Sequence, residues 1–206
     1  MKKFILPAIL VLLNGCGTTI ALTPEQRTSI ESLSLERKVD KPKTAEFGGG
    51  IKRLLSAGGG AIGSLLESST QTEDQRFTTL LNDSGIDIAQ IVYEQFDARL
   101  KVHPFFGPRY RDNGAHKLRI EVSYYSYLPK NMFTNYYRPI VFINYQLISP
   151  SSEVIAKGVT SSGATNDRIP QQTLEQVHSD PQILKGAFTT AVNETINEIL
   201  DSLMKK

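Results

Sequence analysis

Two periodicities organise the second half of the chain. From Lys117 to Leu128 the residues alternate: Leu118, Ile120, Val122 and Tyr124 fall on one side, Arg119, Glu121, Ser123 and Tyr125 on the other. A period of two with one apolar side predicts a half-buried strand. Arg138 to Ser149 carries a second strand, with Val141, Ile143, Tyr145 and Leu147 on a shared face. After the turn residues Pro150-Ser151-Ser152, Glu153 to Ser161 returns to close an antiparallel hairpin. The flanking segments keep a helical period. Ile88, Val92, Phe96 and Leu100 recur every fourth residue within a helix expected from about Ile86 to Leu100. Leu184, Phe188, Val192, Ile196, Ile199 and Leu203 hold a helical stripe almost to the C terminus. Asp180-Pro181 opens that last helix, with Asp180 as cap and Pro181 in the first turn.

Weaker signals fill the remainder. Thr23-Pro24-Glu25-Gln26 and Thr72-Glu73-Asp74-Gln75 are each spaced as a capping box, in which the threonine accepts from the third residue's amide and the glutamine reaches back. The first predicts a short helix to about Leu35. The second predicts a helix with Phe77, Leu80 and Leu81 on one side, broken at Asn82-Asp83-Ser84-Gly85. Lys38 to Glu46 reads as a linker holding the domain off a membrane, Lys101 to Phe106 as a short strand, and Pro170 to Val177 as one short helix. A sheet with one polar face and two long amphipathic helices has a natural solution: both helices cover the same side. The expected fold class is α+β, a two-layer sandwich of a mainly antiparallel sheet of about four strands covered on one face by two amphipathic helices.

The first sixteen residues follow neither period. Lys2 and Lys3 precede an unbroken apolar run from Phe4 to Leu13. That run matches the roughly 7–15 residues of a secretory signal's apolar core and falls short of the ~20 needed to span a bilayer. It ends in Leu13-Asn14-Gly15-Cys16, which resembles the lipobox of bacterial lipoproteins, with Asn14 departing from the usual small residue. The resemblance implies diacylglycerol on the Cys16 sulfur, cleavage after Gly15 and acylation of the new amino terminus. Gly17, where an aspartate usually causes inner-membrane retention, implies the outer membrane. The expected organisation is a signal peptide (1–15), a lipidated tether with a short helix (16–46), a Gly-rich segment (47–71) and an α+β domain (72–206).

Within the Gly-rich segment, Gly58, Gly60 and Gly63 spell the dinucleotide fingerprint, but no βαβ unit with an acidic residue ~20 positions on surrounds them. Gly59 and Gly63 also have the spacing that lets membrane helices approach closely, against which Lys52 and Arg53 would be costly at a bilayer centre. A surface loop and a membrane contact at residues 47–66 both stand as readings. The second would make the protein a secretion or pore component.

Charge and composition then narrow the chemistry. Lys2 and Lys3 account for the excess of 23 basic over 21 acidic residues, so the mature chain is neutral and carries no electrostatic case for nucleic acid. Cys16 is the only cysteine; once it is lipidated, disulfides, thiolate catalysis and cysteine metal sites are excluded. His103, His116 and His178 lack the spacing of a zinc site or a catalytic triad, and Asp180 beside His178 is explained as a helix cap. No catalytic residue, metal or cofactor beyond the Cys16 lipid is expected, and the chain is read as a non-enzyme. Tyr125, Tyr127, Tyr136 and Tyr137 cluster around one strand and the loop after it. The alternation sends Tyr125 and Tyr127 to the face opposite Leu118, so the four are candidates for binding a protein partner, with cross-strand packing as the alternative.

From Ile86 to Met204 the succession of helix, strand KLRIEVSYYSYL, hairpin IVFINYQLISPSSEVIAKG and terminal helix resembles small periplasmic lipoprotein domains. These include the TolB amino-terminal domain, curli-export lipoproteins and transport-auxiliary lipoproteins. The resemblance implies an envelope binding or scaffolding role, anchored in the outer membrane and facing the periplasm, and no reaction. The oligomeric state is left open.

Overall fold

The computed structural model describes residues 19–48, 72–129, 135–162 and 166–205. In chain order they form α1 (Pro24–Ser29), β1 (Leu33–Leu35), β2 (Glu46–Phe47), α2 (Glu73–Asp83), α3 (Ile88–Val102), a 3-10 turn (Gly107–Arg109), β3 (His116–Pro129), β4 (Tyr136–Ile148), β5 (Val154–Ser161), β6 (Gln172–Thr173), α4 (Leu174–Ser179) and α5 (Gln182–Met204). The fold is α+β, with a mixed six-stranded sheet in the order β1-β3-β4-β5. The sheet is larger than the four strands expected. β2 also pairs with β3 and β6 with β4, and both β1 and β2 run parallel to β3.

The two long strands form as their alternation dictates. Val141, Ile143, Tyr145 and Leu147 of β4 are buried against the helices, and the Tyr145 hydroxyl lies 2.8 Å from Ser202 Oγ of α5. α5 lies over β4 and β5, α3 packs beside α5 and onto β3, and α2 and β2 meet at the far end. Both expected capping boxes are made in full, at Thr23 with Gln26 and at Thr72 with Gln75, and a third joins Thr173 to Gln176. Asp180 accepts from the Gln182 amide at 3.0 Å.

Four expectations are corrected. The helix expected from Pro170 to Val177 begins only at Leu174, because Gln172–Thr173 pairs with Tyr136–Tyr137 as β6. The first helix ends at Ser29, and Leu33–Leu35 turns extended to pair with His116–Leu118. Gly114 makes this possible, because only a residue without Cβ allows the Leu33–Ser34 backbone so close. The supposed linker is also part of the sheet: the Val122 amide donates to Asp40 O at 2.8 Å, and Glu46–Phe47 pairs with Ser126–Tyr127. Finally, Lys101 to Phe106 is no strand. α3 continues to Val102, and His103 Nδ1 accepts from the Phe105 and Phe106 amides at 3.2 Å each, turning the chain away.

Candidate interaction surface

β3 carries an irregularity between Val122 and Tyr124: Val122 faces Ile143 and Tyr124 faces Phe142, leaving Ser123 as the extra residue. A bulge of this kind reverses the side on which every later residue points. The alternation therefore does not run through, and the expected exposure of Tyr125 and Tyr127 is wrong. Tyr125 is 4% exposed and Tyr127 not at all. Tyr127 stacks on Phe77 and Tyr137, and its hydroxyl donates to Gln172 Oε1 at 2.8 Å. Tyr137 is half-buried and stacks on Phe47. Burial raises the phenol pKa values of Tyr125, Tyr127 and Tyr137, so all three remain neutral hydroxyls at physiological pH. Tyr136, at 48% exposure, is the one of the four candidates that faces solvent substantially.

The bulge moves Tyr124 to the other side, where its ring meets Phe142 edge-on at 5.5 Å and its hydroxyl donates to Glu46 Oε2 at 3.0 Å. That side, turned away from α3 and α5, is termed the outer face. Directly opposed residues share a face. The register therefore places Phe142, Val154 and Val159 there, together with Ile20, whose backbone pairs with Lys157 along the free edge of β5. Beyond them toward the β6 end, Ser126, Arg138 and Ile140 of the same face are buried. Arg138 Nη1 donates to Asn166 O at 3.2 Å, so this arginine is no surface cation for a polyanion.

On the helix side a groove of about 270 Å³ opens between β2, α2 and α4, lined by Phe47, Phe77, Leu80, Leu174 and Val177 with Glu73 and Arg76 at its rim. Among the described residues, no group of three or more His, Cys, Asp or Glu side chains is placed to hold a metal ion. His103 serves the turn after α3, and His116 is buried at the start of β3. Cys16, most of the Gly-rich segment and the His178 side chain lie outside the described residues. Among those described, no helix is long and apolar enough to cross a membrane.

Comparison with known proteins adds likeness of shape at low identity. No family model matches the chain, and no curated protein matches it. Among solved structures, a candidate lipoprotein from Caulobacter crescentus CB15 is similar over 57% of this chain and 81% of its own, at 15% identity and a TM-score of 0.39. A Xanthomonas campestris protein of the DUF330 family is similar over 89% of this chain and 90% of its own, at 12% identity and a TM-score of 0.41. The PelC dodecamer from Paraburkholderia phytofirmans is similar over 93% and 98%, at 10% identity and 0.36. These likenesses assign no function to this chain.

Proposed function

We propose that the protein is a lipoprotein acylated at Cys16, held at the outer membrane on its periplasmic side, where it serves an envelope complex as a non-enzymatic binding or scaffolding component. The observation that carries this reading is the order of parts at the N terminus: a charged start, an apolar run, Leu13-Asn14-Gly15-Cys16, and then a residue, Ile20, whose backbone pairs with the sheet. A signal that is followed at once by a folded domain delivers and anchors that domain in one step. Acylation at several positions makes the anchor lasting, since each buried methylene contributes ~0.8 kcal/mol and a single chain holds only marginally.

The apolar groove beside Phe47 and the half-exposed Tyr136 ring are the surfaces proposed to meet a protein partner. Labelled palmitate is expected to enter the wild type and not Cys16→Ala, and the labelled protein to sediment with outer membranes. Equal labelling of both would reject the anchor. Crosslinking mass spectrometry on intact envelopes is expected to recover a defined protein neighbour, and a lone monomer in that experiment would reject the scaffolding role.

A further inference from the structure

The tether is far shorter than the sequence suggested, and its length fixes where the membrane must lie. Ile20 exchanges both backbone hydrogen bonds with Lys157, at 2.8 and 3.1 Å, so the folded domain begins there. Only Gly17, Thr18 and Thr19 separate it from Cys16. Four steps of extended chain reach at most ~14 Å. The headgroup layer that the chain must first cross is itself roughly 5–7 Å thick. An anchor at Cys16 would therefore hold the edge of β5 that Ile20 pairs with against the bilayer surface.

The residues around that edge suit such a neighbour. Ile20 is 41% exposed, Val159 42%, Val154 39% and Phe142 38%. The register puts all four on the outer face, with Ile20, Val154 and Val159 around Lys157 and Phe142 farther along, opposite Ser161. Among the described residues only two other large apolar side chains are comparably exposed: Tyr136 on the same face and Val102 at the end of α3. Concentration of exposed apolar groups on one face marks an interaction surface, where single scattered ones would not. Of the acidic groups on this side, Glu36 pairs with Arg119 and Glu121 accepts from Asn144, while Glu153, beside Val154 at the far end of β5, is exposed. Lys157 has no ion pair among the described residues, which leaves a cation at the centre of the patch.

Resting on the anchored-lipoprotein reading, we infer that the outer face of the sheet beside β5, carrying Ile20, Phe142, Val154, Lys157 and Val159, lies on the phospholipid surface of the membrane that holds Cys16. The helices then point away from the bilayer. Lys157 meets lipid phosphates, and the four apolar side chains enter the headgroup layer. The groove between β2, α2 and α4, on the opposite face, is left open to the periplasm.

The chain offers a clean probe. With Cys16 acylated no other thiol exists, so a single introduced cysteine takes an environment-sensitive fluorophore at one site. Acylated Val159→Cys, Phe142→Cys and Val102→Cys proteins would be labelled and reconstituted in vesicles of phosphatidylethanolamine and phosphatidylglycerol containing a spin-labelled quencher lipid. A blue shift and lipid quenching are expected at 159 and 142, and neither at 102. Intact mass of the same preparations reports acylation. Unacylated protein would overturn the anchor reading itself, whereas acylated protein with no quenching at 159 and 142, or equal quenching at all three sites, would overturn this inference alone. Label-to-label contact between copies at 159 without lipid quenching would make the face a contact between two copies and overturn it equally.

Discussion

Tyr127 has no solvent exposure, stacks against Phe77 and Tyr137, and satisfies Gln172 through its hydroxyl. Its two halves should separate on mutation. Tyr127→Phe keeps the ring and strands the buried Gln172 oxygen, which is expected to destabilise the fold by about 1–3 kcal/mol. Tyr127→Ala also opens a cavity and is expected to cost about 3–5 kcal/mol. Urea unfolding midpoints check the order; a wild-type midpoint for Tyr127→Ala would mean that the ring is not in the core. His103 provides a pH-dependent test at the same scale. Its Nδ1 accepts two backbone hydrogen bonds and must stay unprotonated to do so. Burial lowers its pKa from the ordinary 6.5, and the Asp201 charge opposes this only in part. A depressed folded-state pKa means that the unfolded chain takes up the proton first. The contribution is therefore complete above about 6.5 and lost as pH falls through the folded value. The wild-type urea midpoint is expected to decline on acidification below 6.5, and His103→Asn, which keeps an acceptor and does not titrate, to flatten that decline. Asp97 acts in a lower window. Burial would raise its carboxyl, but the bonds from Lys101 and Tyr110 outweigh burial and hold it below its ordinary 3.8.

The elements differ in how their bonds are distributed, and this decides both their fragility and their visibility. β1 is three residues long and depends on one close approach. A Cβ at Gly114 would collide with the Leu33 carbonyl carbon and stand 2.5 Å from both Leu33 O and Ser34 N. Since these are backbone atoms that cannot rotate aside, Gly114→Ala should push β1 off the edge of β3. Amide exchange is expected to accelerate at Glu36 and His116, whose hydrogens bond Leu118 O and Ser32 O, while Tyr145 in the β4–β5 pairing stays protected. Uniform acceleration would place the strain elsewhere. β3, β4, α3 and α5 were legible in the sequence because each repeats its pattern over many residues, enough to show a period. β1 and β2 repeat nothing: their hydrogen bonds go to β3 about eighty residues away, and a three-residue run such as Leu33-Ser34-Leu35 looks the same at the end of a helix. The bulge at Ser123 left one trace. Carrying the alternation past Tyr124 would have put Ser126 in the core and two tyrosines in solvent, a poorer division than the one adopted. The candidate surface was less legible still, because Ile20, Phe142, Val154 and Val159 come together only through strand register.

At the scale of the whole molecule, residues 19–48 run across the sandwich and close it at both sides. Ile20 pairs with the outer edge of β5, Arg27 donates to Leu22 O and to Lys205 O at the end of α5, and Leu33–Leu35 covers the edge of β3. Lys41 then bonds Asp87 at the start of α3, and the Phe47 amide donates to Asp74 of α2. Both sheet edges would otherwise present unpaired backbone groups, a hazard for aggregation. The same segment supplies Leu22, Ile30, Leu33 and Leu35 to the core. At about 1.5–3 kcal/mol for each buried side chain, their joint contribution is comparable to the roughly 5–15 kcal/mol that separates folded from unfolded states in a domain of this size. A chain starting at Thr19 is thus expected to fold with the stability of the full mature protein. One starting at Phe47, as a tether ending at residue 46 would allow, is expected to be largely unfolded or aggregated. Circular dichroism with urea titration distinguishes them. Equal cooperative transitions for both would show that residues 19–46 are a dispensable tether after all, and would also free the β5 edge from the position against the membrane that the short connection imposes.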